Sequence, residues 1–271
     1  MSKVLQHLFS TLTAVVIAVS LTSWMLLLVA LGGLKALIRH QPTRHVLNFL
    51  IEGCYRGAVG VNTFWMKHIV RIRIDVEGEL PDHPAPIIVS NHQTWMDIPV
   101  LHGVITWGGP TLKFLIKREL LWVPVIGWIC YALGFPALRR GQGENAREQD
   151  YAAIEKFSST LTNERGALLI FAEGTRFTTL KHRNQKSPFR HLLTPRPGGL
   201  KIALETSPPG TPVVDVTVAY DGDTNFWHCL GGSTRHIRVW IRTFPSEEIS
   251  DVRGWLEDRW EEKDTFFQKK G

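Results

Sequence analysis

The sequence predicts an α/β domain: a mixed sheet covered by helices on both faces, preceded by an N-terminal membrane helix and a second, interfacial helix. Three observations lead there. Short apolar runs that read as buried strands alternate with helical patterns from residue 70 onward. Two of those runs stop abruptly at clusters of polar residues, PIIVSNHQTWMD (86–97) and LLIFAEGTRF (168–177). Upstream, residues 8–34 contain no charged side chain at all.

That uncharged stretch is 27 residues long. As a helix it extends roughly 40 Å, more than the hydrocarbon core of about 30 Å, so it is long enough to span with some tilt. Six Ser and Thr lie within it (Ser10, Thr11, Thr13, Ser20, Thr22, Ser23), and a helix backbone absorbs such hydroxyls. A cleaved signal peptide is the rival reading, but the stretch is long for one and lacks a clear small-x-small site. Lys35, Arg39 and Arg44 follow the span whereas only Lys3 precedes it, which puts the downstream chain on the cytoplasmic side. Residues 46–69 are amphiphilic, with Glu52 and Arg56 spaced to pair on one helix face, and read as a helix lying against the bilayer. The expected division is 1–69 for anchoring helices and 70–271 for a catalytic domain.

Within that domain Val70, Ile72, Ile74 and Val76 alternate as a strand with Arg71, Arg73 and Asp75 outward. Ile87–Val89 reads as a short buried strand, followed by a helix containing Asp97. LKFLIK (112–117) is a further strand. Residues 120–138 are uncharged, but Pro124, Gly127, Gly134 and Pro136 break them too often for a second span, so they read as a buried helix and then a strand. Helix is expected at 146–164, strand at ALLIF (167–171), helix at 200–206, and strands at PVVDVTVAY and HIRVWIRTF. Ser250 opens a final amphipathic helix carrying Trp255 and Trp260.

Composition narrows the function. The formal net charge of +6 suits a partner carrying phosphate or an anionic membrane face. No basic repeat or nucleic-acid motif accompanies it, so nucleic acid is not an expected partner. Cys54, Cys130 and Cys229 are far apart, share no metal-ligand spacing, and fit a reducing compartment.

The chemistry sits at the two strand ends. His92 would occupy the turn leaving the first strand, where side chains face a crevice, with Asp97 in the next helix turn able to reach back to the imidazole. An imidazole oriented by a carboxylate is what general-base chemistry on a hydroxyl requires. A blander reading exists, because Thr94 to Asp97 also matches a helix capping box. A metal site of His92, Asp97 and His102 is conceivable, though two intervals of five are not a standard ligand spacing. After the second strand, Gly174 lets the backbone turn closely and Arg176 offers a fork for phosphate oxygens, with Glu173 as an acceptor beside it. Seven Lys or Arg and no acid lie between Arg176 and Lys201, a strong anion field.

These two segments resemble the paired signature of the glycerolipid acyltransferases, the lysophosphatidic acid acyltransferase family. Asn91, His92 and Asp97 match its first motif in full. Phe171, Glu173, Gly174, Thr175 and Arg176 match its third, with Ala172 in the proline position. GFPALRR resembles its second motif through Gly134 and Arg140, and Thr211-Pro212-Val213-Val214 its fourth. The stretch from Phe177 to Leu204 further resembles a bacterial inner-membrane subgroup and the eukaryotic lysocardiolipin-type branch. The resemblance runs from about residue 80 to 220. It implies transfer of an acyl chain from acyl-CoA or acyl carrier protein to a lysophospholipid hydroxyl at the inner membrane, on its cytoplasmic side, with no bound cofactor or metal. His92 and Asp97 would be catalytic. Glu173, Gly174, Thr175 and Arg176 would bind substrate, helped by Lys117 and Arg140, and the run from Trp122 to Phe135 would wall an acyl tunnel.

Overall fold

The computed structural model describes residues 2–123, 126–133, 135–138, 148, 151–155, 157 and 166–268. Its strands are β1 (Arg73–Glu77), β2 (Ile87–Ser90), β3 (Thr111–Phe114), β4 (Ile116–Lys117), β5 (Ala137–Leu138), β6 (Gly166–Phe171), β7 (Val213–Tyr220) and β8 (His236–Phe244). Among the described residues six of these form one sheet in the order β1-β8-β7-β2-β6-β3, and β4 pairs with β5 apart from it. The central neighbours β7, β2, β6 and β3 are mutually parallel, whereas β8 runs antiparallel to β7. The sheet is mixed, as the sequence predicts.

Both faces are covered. Alternate residues of the central strands point to opposite sides, so Ile88, Leu169, Val214 and Val216 enter one apolar core while Ile87, Val89, Leu168 and Ile170 enter the other. The first core is closed by α3 (Asp97–Ile105), through Val100, Leu101 and Ile105. The second is closed by the helical turns at 151–155 (α5), by α7 (Gly198–Thr206) and by the C-terminal α9 (Val252–Gln268), which contributes Leu256 and Trp260.

The uncharged stretch is part of one continuous helix, α1 (Lys3–Leu37), long and apolar enough to cross a bilayer. Its hydroxyls are not idle. Ser10 Oγ donates to the carbonyl of Trp227 in α8 (Phe226–Leu230) at 2.8 Å, and Trp65 Nε1 donates to Thr13 Oγ1 at 3.4 Å. Phe9, Ala14 and Ile17 pack against the first core, so the amino-terminal half of α1 is docked along the domain. Val4, Leu8, Leu12, Val15, Val19 and Leu26 form an exposed apolar stripe on the opposite side. At the other end Arg44 donates to the carbonyls of Lys35 and Ile38, satisfying the last turn of α1 as the chain turns into α2 (Gln41–Phe64). Glu52 and Arg56 of α2 do pair, and Arg56 also donates to the carbonyls of Thr106 and Gly109 just beyond α3.

Three expectations change. The strand anticipated at 70–76 begins only at Arg73, because α2 runs into a π-helical turn at Trp65–Ile69 and Arg71 adopts a left-handed φ of 64°. Val70 and Ile72 are buried all the same, which is why their alternation resembles a strand. LKFLIK is divided at Leu115: β3 joins the main sheet and β4 leaves it to meet β5. The helix within 120–138, α4 (Ile126–Ala132), is only half-buried. Among the described residues Cys130 and Phe135 pack on Ile116, whereas Trp122, Trp128 and Tyr131 are exposed. Of the helix expected at 146–164, the described residues include helical turns at 151–155, and the remainder lies largely outside them.

Candidate active site

Three parallel strands, β7, β2 and β6, bring their carboxyl ends to one edge of the sheet, where α/β folds place ligand sites. Asn91 extends the β2–β7 pairing beyond its last residue: its Nδ2 donates to Val218 O and its Oδ1 accepts from Val218 N, each at 2.9 Å. This fixes the backbone from which His92 projects. From the other neighbour, Ala172 N donates to Ser90 O, and Phe177 N donates to His92 O at 2.8 Å. The two motif segments, some 80 residues apart in sequence, are thereby knit into one surface.

The expected pair is assembled. His92 Nδ1 lies 2.7 Å from Asp97 Oδ2. The same oxygen accepts from the backbone N–H groups of Gln93 and Thr94 at 2.7 and 2.9 Å. The capping-box reading is not met, because α3 begins at Asp97 behind a Met96 N-cap that has no side-chain bond; Asp97 instead ties down the two loop amides that precede the helix. Because an ionised carboxylate only accepts, the imidazole proton sits on Nδ1 and the lone pair on Nε2. Nε2 makes no hydrogen bond among the described residues. The ring stacks on Phe171, with centroids 3.9 Å apart and planes 14° from parallel. His102 is turned to other work, its Nδ1 2.6 Å from the Tyr55 hydroxyl, and burial lowers its pKa to about 4.

Glu173 lies against the backbone of His92. Its carboxyl is fully buried, and Oε1 accepts a long 3.4 Å bond from His92 N. Burial pushes its pKa well above the ordinary carboxylate range; the Asp97 charge adds to this, while the N–H groups of His92 and Leu193 and the Lys263 charge oppose it. The resemblance implies that Glu173 orients Arg176 or the glycerol backbone; the contact observed is to His92. Gly174 has a φ of +69°, the left-handed conformation that favours glycine. The Arg176 guanidinium carbon lies over the Trp95 ring, 4.2 Å from its centroid, in a cation–π contact. Thr175 Oγ1 and Arg176 O both accept from Lys181 Nζ, at 2.7 and 3.1 Å, which braces this loop.

Lys117 belongs to β4, but its side chain lies outside the described residues, as do Gly134 and Arg140. Thr211-Pro212 lies at the amino end of β7, where Pro212 O accepts from Ile87 N, at the edge opposite His92.

Tyr220 has no counterpart in the sequence reading. At the carboxyl end of β7, its hydroxyl donates to Asp97 Oδ1 at 2.6 Å. Burial, followed by the neighbouring Asp97 charge, raises its pKa, so it stays a donor. The only sequence signal is its position: Tyr220 ends a strand just before the Asp221-Gly222 turn.

An imidazole held by a buried carboxylate at the carboxyl edge of the sheet, with a guanidinium on the adjoining loop, is the geometry that general-base chemistry on a hydroxyl requires. The chain belongs to the Acyltransferase family, whose model matches residues 71–221, more than half of it. It is similar to 1-acyl-sn-glycerol-3-phosphate acyltransferase gamma of Homo sapiens, 32% identical over 168 residues, which cover 56% of this chain and 44% of that protein. The delta enzyme of Mus musculus is 30% identical over 171 residues, covering 57% and 44%. The gamma enzyme of Mus musculus is 31% identical over 178 residues, covering 59% and 46%. The chain thus spans about half the length of the curated relatives it matches.

Proposed function

We propose that this protein transfers an acyl chain from a thioester to the free hydroxyl of a lysophospholipid, 1-acyl-glycerol 3-phosphate in the first instance, giving phosphatidic acid. The observation that carries the reading is the 2.7 Å contact between His92 and Asp97, with Nε2 left for an incoming hydroxyl. The names of the matched relatives favour the same acceptor.

In this mechanism Nε2 of His92 takes the acceptor's hydroxyl proton as the oxygen attacks the thioester carbonyl. Asp97 steadies the imidazolium that results. The tetrahedral intermediate collapses with loss of the C–S bond, and the imidazolium returns its proton to the departing sulfur, releasing a free thiol. Arg176 holds the acceptor phosphate. Glu173 acts through the backbone of His92, fixing the residue without touching substrate. Coenzyme A or acyl carrier protein brings the acyl group. The protein works at the inner membrane with its catalytic domain on the cytoplasmic side, a reading supported by α1 and by Lys35, Arg39 and Arg44 beyond it.

Thiol release by detergent-solubilised protein, measured across acyl-CoA, acyl carrier protein and a panel of lysolipids, tests this reading. His92→Ala should lower the rate by about 10²–10⁴-fold, and Arg176→Ala should chiefly raise KM for the acceptor. Undiminished turnover by His92→Ala would overturn the base assignment. A preference for lysophosphatidylglycerol or a lysocardiolipin-like acceptor would move the substrate while leaving the chemistry in place.

A further inference from the structure

The basic block from Arg176 to Lys201 is not uniform. Lys181 is drawn onto the loop by Thr175 and Arg176, and Lys201 faces Glu205 at 3.9 Å. Arg196 differs from both. Its backbone N–H donates to Ala172 O at 2.8 Å, which locks residue 196 to the strand end from which Glu173 to Arg176 depart. Its side chain then crosses Gly174. A Cβ placed on that glycine would sit 3.5 Å from Arg196 Cδ and 3.8 Å from Nε and Nη1. Arg196 is exposed, and its guanidinium makes no hydrogen bond or ion pair among the described residues.

We propose that Arg196 is a second anion-binding residue of this site, which together with Arg176 grips the acceptor's phosphate and selects a terminal phosphomonoester over a phosphodiester headgroup. This rests on the acyl-acceptor reading above. Two guanidinium groups adjoin the turn at 174–176, one stacked on Trp95 and one lying across the side-chain-free face of Gly174. A phosphomonoester carries about −1.5 to −2 charges near neutral pH and three acceptor oxygens. A phosphodiester carries one charge and two such oxygens, so one planar fork satisfies it and a second adds little. The left-handed turn at Gly174 brings the two forks to one loop, which a side chain at that position would disturb.

Calorimetric titration of the solubilised full chain, with lysophosphatidic acid and with lysophosphatidylglycerol as probes, tests the assignment without requiring turnover. Arg196→Gln should weaken binding of lysophosphatidic acid by roughly tenfold to a hundredfold, the range for a lost charge-assisted hydrogen bond, and that of lysophosphatidylglycerol far less. Arg196→Lys, which keeps the charge but not the fork, should fall between. Arg183→Gln removes the same charge from the neighbouring α6 (Thr179–Gln185) and should leave the ratio of the two affinities unchanged. Equal losses for both lipids, or none, in Arg196→Gln would overturn the proposal. If the ratio collapses as expected but no lysolipid elicits thiol release from the unmodified protein, the acyl-transfer reading fails and the phosphate grip stands.

Discussion

Tyr220 donates its hydroxyl proton to Oδ1 of Asp97 at 2.6 Å, while His92 and two backbone amides occupy Oδ2. Asp97 is fully buried, yet donors on both oxygens hold it as an acceptor for the imidazole. Hydrogen bonds to charged groups contribute about 1.5–3 kcal/mol each. Tyr220→Phe should therefore lower kcat by roughly tenfold to a hundredfold with little change in KM, because Asp97 loses a donor and holds the imidazole less well. Steady-state kinetics separate this from simple loss of stability, which would reduce active protein without altering the kcat of the folded fraction. A proportional rise in KM would contradict a positioning role.

Glu173 makes a different prediction. Burial raises its pKa well above 4.5, so between the unfolded value and the folded value the native state holds a proton that the unfolded state has lost. Stability is complete below the unfolded pKa and falls as pH rises through that window, by up to about 1.4 kcal/mol per pH unit for one proton. Glu173→Gln lacks the titration. The stability of the unmodified protein relative to this variant should decline as pH increases above about 4.5, as followed by denaturant midpoints. A relative stability that rises with pH would mean that the carboxyl is ionised in the folded protein.

The residues that sequence made legible are those whose chemistry is local in the chain. His92 and Asp97 lie five apart, so strand-end and helix-start geometry bring them together without knowledge of the rest of the fold. The two motif loops were legible because polar residues end apolar runs. Tyr220 was not, since it reaches Asp97 only through the adjacency of β7 and β2, and sheet order is not written in either strand. Arg196 was one of seven cations until its backbone bond to Ala172 singled it out. The half-buried face of α4 and the docked half of α1 were hidden for the same reason: an uncharged run reads alike whether it faces core, protein or lipid.

The docking of α1 has its own test. Gly231 abuts this helix so closely that an added Cβ would lie 2.5 Å from Ser10 Oγ, 2.9 Å from Gln6 Cγ and 3.0 Å from Gln6 O. Gly231→Val should push the amino-terminal turns of α1 away from the domain and break the bond from Ser10 to Trp227 O. Engineered cysteines at Ser10 and Trp227 should then cross-link less readily than in the parent, with His92-dependent thiol release retained in part. Equal cross-linking would mean that the helix adapts by sliding.

Lys263 carries the last prediction. It projects from α9, beyond the segment matched by the family, and is fully buried. Its ammonium lies 2.6 Å from Asp215 Oδ1 on β7 and donates to Val216 O and Thr217 Oγ1 at 2.7 and 3.2 Å. Asp215 is shared with Arg242 at 2.8 Å, and Arg242 in turn pairs with Glu262. Burial lowers the Lys263 pKa and the Asp215 charge opposes this, the balance expected of a charge kept in the interior only by its partner. Lys263→Met leaves Asp215 with Arg242 alone and strips Val216 O of its donor, and removing one partner of a buried pair costs about 3–5 kcal/mol. Lys263→Met with Asp215→Leu removes both charges but leaves Arg242 with Glu262 as its one remaining acid among the described residues, so it should recover only part of that loss. The triple variant that also carries Arg242→Met should recover more. Denaturant midpoints of the three proteins check the order, and a single Lys263→Met as stable as the parent would show that Arg242 suffices to hold Asp215.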